Sequence, residues 1–368
     1  MEQLYIGIMS GNSLDAVDLV LAAFPEDKII VHASKSFDVP LNLKQKVLSL
    51  IPSSPISDYL ELDYSFAKLF AASVNSFIAE IGIPKEQIQA IGSHGQTILH
   101  GPDHKYPHSH QLGDPNIIAI DTSIRTIADF RRKDVALGGQ GAPLAPLFHK
   151  YAFKQLGNDT VVVNIGGIAN ITYLDKKGDI KSGFDTGPGN ILLDMCADRY
   201  FNKTFDINGL IAREGKCIDS VLDKMLQDDY FLAPYPKSTG RDYFNNLWLE
   251  KYALAGHDPR DVICTLTHLT ARSIADAIKK VISKGEIVLC GGGSLNLFLF
   301  ELVGVYCSDF KVVSSAALGL NPRLVEASLF AYLAKLHVDN ECIDMRMITG
   351  ANKPYQIGVS FSPAVNIN

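Results

Sequence analysis

The sequence predicts an α/β protein built from two domains related by duplication, with a ligand cleft between them. Three observations carry that expectation. First, one pattern of strand, small-residue turn and second strand occurs twice. It runs from Tyr5 to Phe24 around Ser10-Gly11-Asn12-Ser13, and from Val161 to Leu174 around Gly166-Gly167. Second, segments with apolar residues at three- and four-residue steps alternate with short apolar runs, the rhythm of helices packed on sheets. Third, 368 residues are too many for one ordinary core, and 47% hydrophobic with 20% charged residues is the balance of a globular protein. The expected division is residues 1–130 and 131–368, with the C-terminal tail packing back on the first domain.

Charge narrows the partners. A net charge of −6 with no basic stripe argues against nucleic acid and membrane surfaces. An anionic ligand must then be held by backbone N–H groups, a metal ion and a few local cations. The opening MEQLYIGIMSG has no basic segment followed by an apolar run, and no apolar stretch reaches membrane-spanning length. Cys196, Cys217, Cys264, Cys290, Cys307 and Cys342 have no paired spacing, which suits reduced thiols in a cytoplasmic protein. A homodimer is compatible with these features and is not specified by them.

Along the chain, Tyr5–Met9, Leu14–Phe24 and Val31–Val39 read as an antiparallel meander. Asp15 or Asp18 on its second strand can hold Mg²⁺ through water, although acids on an exposed hairpin face are the commoner case. Helices are expected over 41–50 and 59–81, the latter with Leu60, Tyr64, Ala67, Ala71, Val74, Phe77 and Ile78 on its core side. Ile88–Ile91 leads into Gly92-Ser-His-Gly-Gln-Thr97, and polar residues at a strand's C-terminal end are where open α/β sheets bind ligands. His94, Gln96 and Thr97 are therefore ligand candidates, with plain turn-stabilising bonds as the alternative. His100, His104, His108 and His110 lack the cysteine or carboxylate spacing of a metal site and read as ordinary loop histidines. Arg131, Arg132 and Lys133 form a dense cationic cluster suited to clamping a carboxylate or phosphate. Gly138–Pro143 reads as a hinge before a helix over 144–153.

In the second half, Gly166-Gly167 can bare backbone N–H groups to an anion. Asp185, in Phe-Asp-Thr-Gly-Pro-Gly-Asn190, lies between a short apolar strand and a turn opening a helix over 191–200. That setting suits a general base in phosphoryl transfer, and equally a helix cap. Helices follow over 218–227, around Trp248, and over 266–282. The strand 286–290 ends in Gly291-Gly292-Gly293, on which a flat ring or phosphate can lie, with Asn296 one turn into the next helix. A last helix over 321–336 contains Glu326.

Taken in order, these segments resemble one family. They are Gly7–Asp18, Ser93–Thr97, Gln111–Pro115, Ala128–Asp134, Gly138–Pro143, Asn164–Asn170, Phe184–Asn190, Pro236–Arg241, Cys290–Gly293 and Glu326-Ala327. The chain resembles the anhydro-N-acetylmuramic acid kinases, sugar kinases of the actin and hexokinase superfamily. Its first loop departs from the family's Gly-Thr-Ser-x-Asp-Gly-x-Asp at Asn12 and Ala16, and Asp242 and His268 stand where Glu is usual. The resemblance implies two duplicated ribonuclease-H-like domains, each a mixed five-stranded sheet flanked by helices. It implies an ATP- and Mg²⁺-dependent enzyme that opens the 1,6-anhydro ring with water and phosphorylates O6, giving N-acetylmuramic acid 6-phosphate for cell-wall recycling. Under it Asp185 is the base on the attacking water. Gly11, Asn12, Ser13, Leu14, Asp15, Ala16, Val17 and Asp18, with Gly166, Gly167 and Asn170, bracket the phosphates. Gly291, Gly292, Gly293 and Asn296 hold the adenosine, while His94, Gln96, Thr97, Arg131 and Glu326 meet the sugar. Two other readings compete with it: a kinase for another hexose or amino sugar, and a non-catalytic ATP-switched module of the same fold.

Overall fold

The computed structural model describes residues 2–364 apart from positions 12, 13, 27, 52, 236 and 242. In chain order the first segment carries β1 (Leu4–Ser10), β2 (Ala16–Ala23), β3 (Ile30–Asp38), α1 (Leu41–Ser49), α2 (Ile56–Ile81), β4 (Ile88–Ser93), β5 (Gln96–Gly101), β6 (His108–Leu112), α3 (Pro115–Thr122), β7 (Thr126–Ala128) and α4 (Arg132–Ala136). Next come α5 (Ala145–Phe153), β8 (Thr160–Ile165), β9 (Ile168–Leu174), β10 (Ile180–Pro188), α6 (Ile191–Phe201), α7 (Leu210–Glu214), α8 (Asp219–Leu226), α9 (Asp229–Leu232), α10 (Asn246–Glu250), α11 (Pro259–Val281), β11 (Glu286–Cys290), α12 (Leu297–Tyr306) and β12 (Lys311–Ser314). The returning segment holds α13 (Val325–Val338), β13 (Cys342–Ile343), β14 (Tyr355–Gln356) and β15 (Val359–Phe361).

The chain divides into two compact units, Met1–Phe148 with Glu326–Asn368, and His149–Val325. In unit 1 the sheet order is β15-β7-β4-β1-β2-β3, and β5 pairs only with β6 as a separate ribbon. The strands β1, β2 and β3 form the expected antiparallel meander, while β4 and β7 add in parallel. Unit 2 repeats the plan as β10-β9-β8-β11-β12, an antiparallel meander of β8, β9 and β10 with β11 and β12 added in parallel. Apart from the edge strand β15, each sheet runs third, second, first, fourth, fifth. This is the duplicated ribonuclease-H-like arrangement, and the hairpin repeated in the sequence is its first two strands.

The core of unit 1 packs Ile6, Ile8, Val17, Leu19 and Leu21 of the sheet against Phe66, Phe70, Val74 and Phe77 of α2. Each such side chain contributes about 1.5–3 kcal/mol by leaving water. Leu60 and Tyr64 are not among them, being 58% and 54% exposed. Leu62 takes the core position, since the stripe continuous with Phe66, Phe70 and Phe77 buries more aromatic surface. In unit 2, Val161, Val163, Ile165, Ile171, Phe184, Ile287 and Leu289 lie against α11 and α12. Helix α11 begins at Pro259, earlier than its apolar periodicity indicates, because Asp258 accepts a hydrogen bond from Arg260 N and Pro259 fills the first turn.

Unit 1 places α13 directly on its sheet. Gly7 and Gly92 are register partners on β1 and β4. A Cβ on Gly7 would collide with Ala327 O, and one on Gly92 with Phe330 O. The bare backbone at this pair lets the helix lie flat, with Ala331 and Ala334 also at the contact.

The expected boundary at 130/131 lies instead at 148/149, and the expected hinge at Gly138–Pro143 belongs to unit 1. Backbone bonds hold that run: Gly139 N donates to Asp134 O (2.9 Å) and Gln140 N to Thr349 O (2.8 Å). The buried Asp134 carboxylate accepts from Gly141 N (2.6 Å), Thr349 Oγ1 (2.7 Å) and Tyr355 OH (2.8 Å). Glycine permits the path, and these partners fix it.

Candidate active site

In unit 2 the pleat separates two faces. Val163, Ile171, Phe184 and Leu289 point to the core, so their neighbours Asn164, Asn170, Asp185 and Cys290 point the other way. Register aligns these four as one row across the sheet: Asp185 opposite Asn170, Asn170 opposite Asn164, and Asn164 opposite Cys290. The carboxylate the sequence singles out therefore shares a face with two amides.

Asp185 does not end its strand, which continues to Pro188, but it stands at a bulge between Asp185 and Gly187. Bulges re-aim side chains beside functional sites. Three groups fix it: Asp185 N donates to Lys237 O (3.0 Å), Tyr230 OH donates to Asp185 O (2.8 Å), and Thr239 N donates to Oδ2 (3.0 Å). Burial first, and then the Asp185 charge, push the Tyr230 hydroxyl far up, so it stays a donor. Asp185 is not a helix cap. Asn190 precedes α6, whose opening amides Asn190 N and Ile191 N donate to Gly166 O (2.8 Å) and Gly167 O (3.1 Å).

That bonding corrects the expectation for the Gly-Gly turn. Gly166 N is spent on Ile168 O (3.2 Å), and both carbonyls cap α6. Gly167 is the open position, with Ile191 Cβ, 4.0 Å from where a Cβ would stand, as its nearest atom. In the triple glycine, Gly291 has φ +80° and a Cβ there would meet Asn164 Oδ1, whereas Gly292 faces open space. Asn296 is the N-cap of α12 rather than one turn inside it, its side chain accepting from Leu299 N (3.0 Å). Asn170 Oδ1 is buried with no hydrogen-bond partner among the described residues.

In unit 1, His94 and Arg131 come together. Arg131 Nε and Nη2 lie 3.1 and 2.9 Å from His94 Nε2, and Nη1 donates to Gly141 O (2.8 Å). Burial, and then the guanidinium, hold the His94 pKa well below its ordinary value, so the ring is neutral. The same ring packs on Phe330 of α13 at 4.5 Å between centroids. Glu326 is one helical turn before Phe330 and shares its face. Gln96 Oε1 accepts from Ser10 Oγ (2.7 Å), and Thr97 Oγ1 from Gln111 Nε2 (3.4 Å). Only Arg131 of the cationic cluster joins this group. Arg132 pairs with Asp129 (2.6 Å), and Lys133 Nζ donates to Gln356 O (2.7 Å).

Asn12 and Ser13 lie outside the described residues. Beside them a Cβ on Gly11 would meet no atom within 4 Å, and Leu14 has a positive φ of 56°. Ala16 opens β2 in extended conformation, so its methyl is tolerated. Asp15 and Asp18 do not form a pair. Val39 N donates to Asp15 O, extending the β2–β3 ladder by one residue, and an odd offset along a strand sends the two carboxylates to opposite faces. Asp15 accordingly binds Lys44 Nζ (2.5 Å), on the α1 side with Val17, while Asp18 accepts from Ser36 Oγ (2.5 Å). Among the described residues no three His, Cys, Asp or Glu stand placed to share a metal ion, and no helix is long and apolar enough to cross a membrane. The four histidines lie on and beside the β5–β6 ribbon, with His104 and His108 rings 5.2 Å apart.

Comparison with known proteins decides the family. Residues 3–363 match the family model described as anhydro-N-acetylmuramic acid kinase. The chain belongs to the anhydro-N-acetylmuramic acid kinase family. Relatives bearing that name include one from Shewanella amazonensis, 42% identical over 367 residues, covering 99% of this chain and 100% of the relative. Another, from Shewanella sp. (strain ANA-3), is 43% identical over 362 residues, covering 97% and 98%. The relative from Sulfurovum sp. (strain NBC37-1) is 42% identical over 358 residues, covering 96% and 98%. The kinase family is one of ATP-dependent sugar phosphotransferases acting in cell-wall recycling. Sequence reasoning missed the Gly7–Gly92 seat, Phe330 and Tyr230. For the glycines a signal existed, since each interrupts an apolar strand.

Proposed function

We propose that this chain opens the 1,6-anhydro ring of anhydro-N-acetylmuramic acid with water and phosphorylates the freed O6, with Asp185 as the general base. The observation that carries the role is the three-point fixing of Asp185 by Tyr230, Lys237 and Thr239. A base must sit within hydrogen-bond reach of the proton it takes, and a carboxylate held in one direction at a strand bulge supports that reading. Asp185 takes a proton from water as that water attacks the anomeric carbon, the bond from that carbon to O6 breaks, and O6 accepts the γ-phosphoryl group. ATP supplies the phosphoryl group, and Mg²⁺ offsets charge on the phosphates.

Open backbone at Gly167 and Gly292 in unit 2, and separately at Gly11 in unit 1, supports assigning these positions to ATP. Asp18 is our candidate for meeting Mg²⁺ through its hydration shell, because the ion keeps most of its waters and rides on phosphate; Asp15 is committed to Lys44. In unit 1, Arg131 and neutral His94 supply a cation and a ring on Phe330, and with Glu326, Gln96 and Thr97 we assign them to the sugar. The expected setting is the cytoplasm. The test measures ADP release from full-length protein with 1,6-anhydro-N-acetylmuramic acid, with free N-acetylmuramic acid, and with neither. We expect release with the anhydro sugar, reduced about 10²–10⁴-fold in Asp185→Asn with ATP binding retained. Near-normal turnover in that variant removes Asp185 from the role, and a preference for the free sugar removes the ring-opening step.

A further inference from the structure

Unit 2 contains a cavity of about 770 Å³ that the kinase chemistry leaves unused. Phe184 and Thr186, the residues flanking Asp185, line it. Phe184 points to the core face while Asp185 points to the polar row, so the cavity lies on the other side of β10 from the proposed base. Helices α8, α9 and α11 supply its remaining walls, together with Ala233, Tyr235 and Lys237.

The lining is cationic in a chain of net charge −6. Lys224, Lys237, Lys279, Lys280 and Arg272 stand against two carboxylates, Asp223 and Asp276. Arg272 is paired with Asp276 (3.1 Å), but among the described residues none of the four lysines has an ion-pair partner. Lys237 Nζ is left with Tyr230 O (2.5 Å) and the Tyr230 ring (4.3 Å). Burial, and then repulsion from Lys280, lower its pKa to about 8. An anion between Lys237 and Lys280 relieves that repulsion. The cavity also has a flat wall: Tyr235 stacks on Phe184 at 4.7 Å and 8°, yet remains 42% exposed. An exposed aromatic face backed by a buried one is a platform for a planar ring.

We propose that this cavity binds a small phosphorylated ring compound, its phosphate between Lys237, Lys280 and Lys224 and its ring on Tyr235. Occupancy reaches Asp185 through one residue, because Lys237 also accepts the Asp185 N–H, and Thr239 two positions on holds the carboxylate.

Phenyl phosphate is the probe, titrated calorimetrically into the full-length chain without ATP or sugar. That arm is independent of the kinase reading. We expect one saturable site, tighter than for inorganic phosphate or phenol alone. Lys280→Glu should weaken it at least about tenfold, the scale of one lost charge contact. Tyr235→Ser should reduce phenyl phosphate to the affinity of inorganic phosphate. No saturable binding below about 10 mM, or binding indifferent to both Lys280→Glu and Lys224→Glu, overturns the site. In the kinase assay, which does rest on the proposed function, phenyl phosphate at saturating ATP should change kcat at least twofold in the wild type and not in Lys280→Glu. Saturable binding with an unchanged kcat overturns the link to Asp185.

Discussion

A carboxylate that takes a proton from water needs a fixed direction more than it needs deep burial, and the surroundings of Asp185 supply direction. Thr239 N is a donor aimed at its side chain (3.0 Å). Thr239→Pro deletes that N–H, and a hydrogen bond to a charged group is worth about 1.5–3 kcal/mol. We expect kcat to fall about 10- to 100-fold with KM for ATP unchanged; an unaltered kcat means the carboxylate does not depend on that loop. A second carboxylate supports the first. Asp228 accepts from Tyr243 OH (2.6 Å), Trp248 Nε1 (2.9 Å), Tyr230 N (3.0 Å) and Tyr252 OH (3.3 Å), so it seats the tyrosine that holds the Asp185 backbone. Burial works to raise its pKa, but the hydrogen bonds from Tyr243, Tyr230 and Trp248 outweigh it and the net shift is downward from 3.8. The folded pKa being depressed, this stabilisation is complete above the unfolded value near 3.8 and is lost as pH falls below it. Thermal melts across pH 2–6 should show a decline on the acid side that is shallower in Asp228→Asn, and parallel curves would exclude the linkage.

At the scale of elements, the contact that orders the residues we assign to the sugar is α13 on β1 and β4. The aromatic ring that packs on His94 comes from this helix, and its position is set by two strand residues with no side chain at all. Gly92→Ala drives a methyl against Phe330 O, where only backbone can give way. Overpacking of this kind costs about 1–3 kcal/mol. We expect a lower melting temperature together with a raised KM for the sugar and an unchanged KM for ATP. Loss of stability alone would mean that Phe330 and Glu326 are not sugar-side groups. The strands themselves were legible, because β-branched runs closed by small residues have few other uses. The phase of α2 was not. Between Ile56 and Phe66 two apolar stripes compete, Ile56-Leu60-Tyr64 and Tyr59-Leu62-Phe66, and only the sheet opposite decides which is buried. The open Gly-Gly turn was half legible, since a sequence shows that the backbone is bare but not that its carbonyls are already spent on α6.

For the whole molecule, duplication could be read from two hairpins that share a pattern more than a sequence, and the candidate base from its place after the second. The return of the chain could not be read with its true boundaries, because it depends on partners more than two hundred residues apart. Asp134 is fully buried, and two of the three donors to its carboxylate among the described residues, Thr349 Oγ1 and Tyr355 OH, arrive from the C-terminal segment. Without them a buried carboxylate keeps, among the described residues, Gly141 N alone. Each lost bond to a buried charge costs about 1.5–3 kcal/mol, a large share of a domain's total stability of about 5–15 kcal/mol. Ending the chain after Asn340 also removes β15 from the edge of the sheet. Unit 2 keeps its two hydrophobic cores, which contain no residue beyond 325. Calorimetry on the shortened chain should therefore show one transition moved to lower temperature or lost, and one that persists. Tyr355→Phe should move the same transition by a smaller step. A shortened chain that melts as the full one does would mean the C-terminal segment decorates unit 1 instead of completing it.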